Sequence, residues 1–136
     1  MNNPRYSVLK LATLLAAAAL VRSLPIPAPR AAAAKPKFTI KEVMQTLHKG
    51  DDSVARRVSD GHGTKEDFAK LVEYYESLPL CTPELGEKAS WNEKSTALLK
   101  AARALKAGED GALETYKKAV NCRACHSQHR PPPPQK

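Results

Sequence analysis

The 136 residues are 42% hydrophobic and 26% charged, which suits one globular domain and leaves no room for a second core. Aromatic residues make up only 5%, so a core built from the Leu, Val and Ala of the later chain would be thin without a bulky apolar group to fill it. The formal charge of +8 does not call for nucleic acid, because beyond the first 34 residues basic side chains are interspersed with acids in the manner of solvated helix faces.

The first 34 residues have the order of an export signal. Arg5 and Lys10 precede an apolar run from Leu11 to Val21, and a Pro-containing stretch then leads to the small-residue tract Ala31 to Ala34. The run is too short to span a bilayer, which takes about 20 apolar residues, so cleavage near Ala33 or Ala34 is expected. No Cys follows it to carry a lipid. The segment holds four of the 22 basic residues, Arg5, Lys10, Arg22 and Arg30, and none of the 14 acids, leaving 18 against 14, or +4, in the mature chain. The expectation is a periplasmic domain over residues 35–130 with no stable membrane anchor. Residues 131–136 form a proline-rich tail that cannot join a core.

The mature chain predicts helices and no strands. Thr39 with Glu42 makes a capping box, and Ile40, Val43, Met44 and Leu47 follow at helical spacing until Gly50. Val54 and Val58 suggest a short helical turn before the Gly61 to Gly63 break. Thr64 with Asp67 opens a second helix, with Phe68, Leu71, Val72, Tyr75 and Leu78 as its stripe and Pro79 as its end. After a loop from Leu80 to Ala89, Ser90 with Glu93 repeats the capping box. The third helix carries Trp91, Ser95, Leu98, Ala102 and Leu105 on one face and stops at Gly108. The fourth starts near Asp110, passes Leu113, Tyr116 and Val120, and runs through the cysteines to Pro131. Amphipathic helices joined by short connections predict an all-α domain, an antiparallel four-helix bundle.

The chemistry lies in Cys122-Arg-Ala-Cys125-His126, the CxxCH attachment signal for haem c. On a helix these three side chains stand at i, i+3 and i+4, within about a 100° arc, roughly opposite the stripe of Leu113, Tyr116 and Val120. Two thioether bonds would fix one haem, and His126 would be its proximal iron ligand. Three rivals explain less. A Cys122–Cys125 disulfide closes poorly on a helix and leaves His126 unexplained. A zinc site of Cys122, Cys125, His126 and His129 would crowd four ligands onto one helix. A redox dithiol expects a βαβ setting that is absent here.

A CxxCH on the last of four helices, preceded by the Met-bearing opening TIKEVMQTLH, resembles the class II c-type cytochromes, the cytochrome c′ group and its low-spin relatives. The resemblance covers about Phe38 to His129 and implies a haem lying between helices, partly exposed at one edge. It also implies electron transfer or gas binding outside the cytoplasm, and it favours Met44 on the first helix as the sixth iron ligand. Met44 is the one Met after the initiator, and it precedes the motif, unlike the ligand Met of class I cytochromes.

By helical angle Met44 faces the interior, while His48 sits at the edge of the stripe and competes for the iron. A thioether ligand would raise the potential and suit an electron carrier; a bis-histidine haem would have a lower one. If Met44 only fills the core, iron is five-coordinate and the expected function becomes nitric oxide or carbon monoxide binding. No carboxylate pair, activated nucleophile or phosphate loop points to an enzyme, and the expected partners are redox proteins. Trp91 reads as core or cap packing, with haem contact the alternative; His62 and His129 read as solvated. Cys81 is the odd cysteine, either buried and inert or joined to a second copy in a homodimer. Because haem would act as core, the chain without it is expected to be molten or unfolded.

Overall fold

The computed structural model describes residues 34–133, and these are helical, with no strand among them. The expected export segment up to residue 33, and residues 134–136 of the tail, lie outside the described residues.

The local signals act where the sequence carries them. Helix α1, Ile40–Leu47, opens on the Thr39 capping box: the Thr39 hydroxyl accepts from the Glu42 N–H at 3.2 Å, and the Glu42 carboxylate accepts from the Thr39 N–H at 2.8 Å. Helix α2, Val54–Ser59, turns Val54, Ala55 and Val58 inward. Helix α3, Lys65–Tyr75, opens on a second box between Thr64 and Asp67. Asp67 also accepts from Arg57 at 2.7 Å, tying α3 to α2; the Arg57 guanidinium holds the Asp67 carboxyl below the usual range. Helix α4, Lys88–Ala107, is the longest and ends on Gly108 at φ 72°, a left-handed stop that favours glycine. Helices α5, Ala112–Ala119, and α6, Cys122–His129, complete the order.

Three boundaries differ from the sequence reading. The second predicted helix ends at Tyr75, and its last stripe position, Leu78, opens a separate 3-10 turn, Leu78–Leu80. The third begins at Lys88 with Glu87 as its cap, so the Ser90–Glu93 box does not form; the Ser90 hydroxyl is used elsewhere. The fourth is broken in two, because Asn121 leaves the helix at φ −70° and ψ 93° and its side chain accepts from the Ala124 N–H at 3.0 Å. A short amide that caps a new helix competes with continuation of the old one.

Helix α4 packs against α3 on one side and α5 on the other, while α1 and α2 close on α3 and on each other. Tyr75, Tyr116, Leu47, Leu71, Leu78, Val43 and Val58 are fully buried in this core. The stripe Trp91, Ser95, Leu98, Ala102 and Leu105 is buried along α4, as its spacing predicts. Ahead of α1, Phe38 stacks on Tyr74 with ring centroids 4.0 Å apart, and its carbonyl accepts from the Cys81 thiol at 3.5 Å. Cys81 is thus in the core, and burial pushes its thiol pKa up.

Candidate functional site

The break at Asn121 sets the geometry of the site. Cys122, Cys125 and His126 line a cavity of about 150 Å³ whose apolar walls include Leu78, Trp91, Leu98 and Val120. Met44 and His48 line the same cavity from α1 and the residue that caps it. Val120 therefore shares a wall with Cys122, whereas a continuous helix would have set them on opposed faces. A wider space of about 550 Å³ adjoins it and shares Met44, His48, Trp91, Cys125 and His126, so the two form one groove. Lys41, Lys49 and Arg130 line its wider part and Lys94 its narrower part. Among the described residues none of these four cations has a carboxylate partner within ion-pair distance, and Glu84 is the one acid lining either part.

The donors differ in exposure. Cys122 is exposed, Cys125 and His126 are half-buried, and Met44 is half-buried against the core. Burial raises the Cys125 thiol pKa, with Lys94 opposing. Burial, then the charge of Arg130, lowers that of His126, which favours a neutral imidazole with a lone pair to offer. Met44 brings a soft thioether from the facing helix.

His48 is held differently from its rival. Its Nε2 lies 3.0 Å from the hydroxyl of Tyr75, which lies 3.1 Å from that of Tyr116. Burial, and secondarily a charge on His126, push the His48 pKa down to about 4. Desolvation likewise lifts Tyr75 well above its ordinary value and Tyr116 to about 12, so all three groups are uncharged at neutral pH. One ring nitrogen of His48 is committed to this chain, leaving at most Nδ1 for the groove.

Trp91 is both core and wall: its Nε1 donates to the Leu78 carbonyl at 2.7 Å and its ring borders both parts of the groove. His62 is exposed, as its glycine neighbours suggest. His129 is not solvated, contrary to the sequence reading; it is 6% exposed, with Nδ1 at 3.0 Å from the Leu85 carbonyl and Nε2 at 3.2 Å from the Ser90 hydroxyl. Both its nitrogens are thereby drawn away from the two cysteines. Among the described residues no three His, Cys, Asp or Glu side chains converge to hold a bare metal ion.

The tyrosine pair behind His48 was visible in the sequence only as two stripe positions, since periodicity gives a face and not a partner. For His129 a signal existed: it follows Cys125 and His126 by four and three residues, which puts it on their face. No helix among the described residues is long and apolar enough to cross a membrane. Comparison with known protein families, with characterised proteins and with solved structures finds no match for this chain.

Proposed function

We propose that this chain is an exported c-type cytochrome that carries single electrons in the periplasm, with one haem c joined to Cys122 and Cys125. The observation that carries the reading is the convergence on one groove of two thiols, an imidazole and a facing thioether from two separate helices. The lining of the groove also suits the chemistry of that group. Apolar walls match a macrocycle, and Lys41, Lys49 and Arg130 offer charge to its two carboxylates. The bundle we propose as its frame consists of α1, α3, α4 and α5, with the cysteine motif on the separate α6, a departure from the class II likeness, which rests on a motif carried by the last of four helices.

When bound, haem supplies an iron that passes between ferric and ferrous states by gaining or losing one electron. The chain's own residues do the rest. Cys122 and Cys125 would anchor the group, and His126, its pKa lowered by burial, would offer a neutral imidazole to the iron. Met44 would be the second residue to hold the iron, favoured over His48 because the Nε2 of His48 is engaged by Tyr75. Leu78, Trp91 and Leu98, which line the narrow part of the groove, would lower the dielectric around the group and so help to set its potential. No residue of this set is asked to perform catalysis.

The test is a visible and near-infrared spectrum of the full chain, expressed with haem-attachment machinery, with Met44→Ala and His48→Ala alongside. The expected result is a Soret band, a haem that survives denaturing electrophoresis, and a weak near-infrared sulfur-to-iron band that disappears only in Met44→Ala. Absence of a Soret band would end the cytochrome reading. A high-spin wild-type spectrum that shifts on adding nitric oxide would instead make the protein a gas binder.

A further inference from the structure

Helix α6 has little to hold it. Cys122, Arg123, Ala124, Ser127 and Gln128 are exposed, and His129 is its one buried residue. The His129 ring is gripped on several sides. The Leu85 carbonyl can only accept, so Nδ1 carries the proton, while Nε2 meets Ser90 in the first turn of α4. The Ser90 hydroxyl also meets the side-chain amide of the preceding residue, Gln128, at 2.9 Å. The ring stands edge-on to Trp91, with centroids 5.5 Å apart and planes at 78°.

The loop closes on this ring through a glycine. Gly86 has φ +78°, and a Cβ there would stand 2.6 Å from His129 Nδ1, 2.9 Å from its Cε1 and 2.7 Å from the Gln128 carbonyl oxygen. Those are closer than atoms tolerate, so the residue that lets the loop approach is also the one with no side chain. Trp91, which the ring abuts, is itself fixed to Leu78 and borders the groove beside His126.

We propose that His129 is the positioning residue of the site: clasped by Leu85, Ser90 and Trp91, it fixes α6 so that His126 and Cys125 face Met44 across the groove, with Gly86 permitting the clasp to close. This rests on the cytochrome reading. Covalent attachment would tie α6 to the haem but not to α4, so the clasp decides how His126 stands relative to α1. Loosening it leaves haem attached and lets the Met44 side open.

The experiment compares holoprotein of wild type, His129→Ala, His129→Asn and Gly86→Ala, with Leu105→Ala as a core variant that borders neither part of the groove. In His129→Ala the haem stays covalently bound, the near-infrared sulfur band fades, and carbon monoxide binds the ferrous protein roughly tenfold more tightly because the open state is more populated. His129→Asn, whose amide N–H replaces Nδ1–H toward Leu85, restores most of the band. Leu105→Ala lowers the melting temperature and leaves band and affinity unchanged. If His129→Ala does not mature, Gly86→Ala, which displaces the ring from the loop side, gives the same spectral loss. Retention of the band and of wild-type carbon monoxide affinity in either variant overturns the proposal, as does an equal change in Leu105→Ala. A wild type without haem ends the functional reading and this one together, whereas a normal wild-type spectrum with an unchanged His129→Ala ends this one alone.

Discussion

At His48 the ring is closed in by the core and bonded to Tyr75, and its charged form is disfavoured to the point that its pKa falls to about 4. In the unfolded chain the same group takes a proton near 6.5. Between these values the unfolded state binds more acid than the folded one, so stability present at neutral pH is lost as pH falls from about 6.5 toward 4. The full difference corresponds to about 3 kcal/mol at most. Thermal melts at pH 7, 5.5 and 4.5 should show His48→Gln with a visibly flatter dependence than wild type; parallel curves would mean that His48 is free to charge. Helical angle alone set His48 at the edge of the first stripe and Met44 inside it. Those angles were legible, but the contact that holds His48 was not, because its partner comes from α3 and no local pattern encodes a contact 27 residues away.

Elements announced by caps were readable, and those decided by competition were not. Thr39 with Glu42 and Thr64 with Asp67 start their helices as the sequence predicts, and Gly108 stops α4. Ser90 with Glu93 has the same spelling and fails, since α4 already starts at Lys88 and the hydroxyl has better use against α6. Over residues 112–129 the apolar spacing is compatible with one helix, and only Asn121 divides it. Its cap on Ala124 re-aims the cysteine motif so that Cys122 and Val120 meet at one cavity. Asn121→Ala removes the cap at a cost of about 1 kcal/mol and favours an unbroken helix that turns Cys122 away from the groove. We expect a lower melting temperature and, on the cytochrome reading, a larger fraction of chains holding haem by Cys125 alone, read by mass spectrometry of the haem peptide. A variant that melts lower but attaches haem normally would show that the break is only a local stability device.

On the scale of the molecule, burial is uneven. Few aromatics and many alanines suggested a core that haem must complete, yet two of those few aromatics, Tyr75 and Tyr116, are fully buried and hydrogen-bonded to one another at the centre. With Leu47, Leu71, Leu78, Val43 and Val58 they form a closed core drawn from α1, α2, α3, the 3-10 turn and α5, against which α4 lies. Helix α6 stands outside this arrangement, with His129 as its one buried residue and its thiols on a groove. Elements with few buried contacts open first, at free energies well below that of global unfolding. On the cytochrome reading, this uneven burial points to α6 and the groove as the part that loosens first without haem. In a Cys122→Ala, Cys125→Ala double variant, we expect a cooperative far-UV melting transition to survive at reduced temperature. Hydrogen exchange should find the amides of residues 122–130 unprotected and those of α3 and α4 still slow. Loss of protection throughout α3 and α4 would show instead that the whole core depends on haem, and uniform protection including α6 would show that His129 and its neighbours suffice to hold the helix in place.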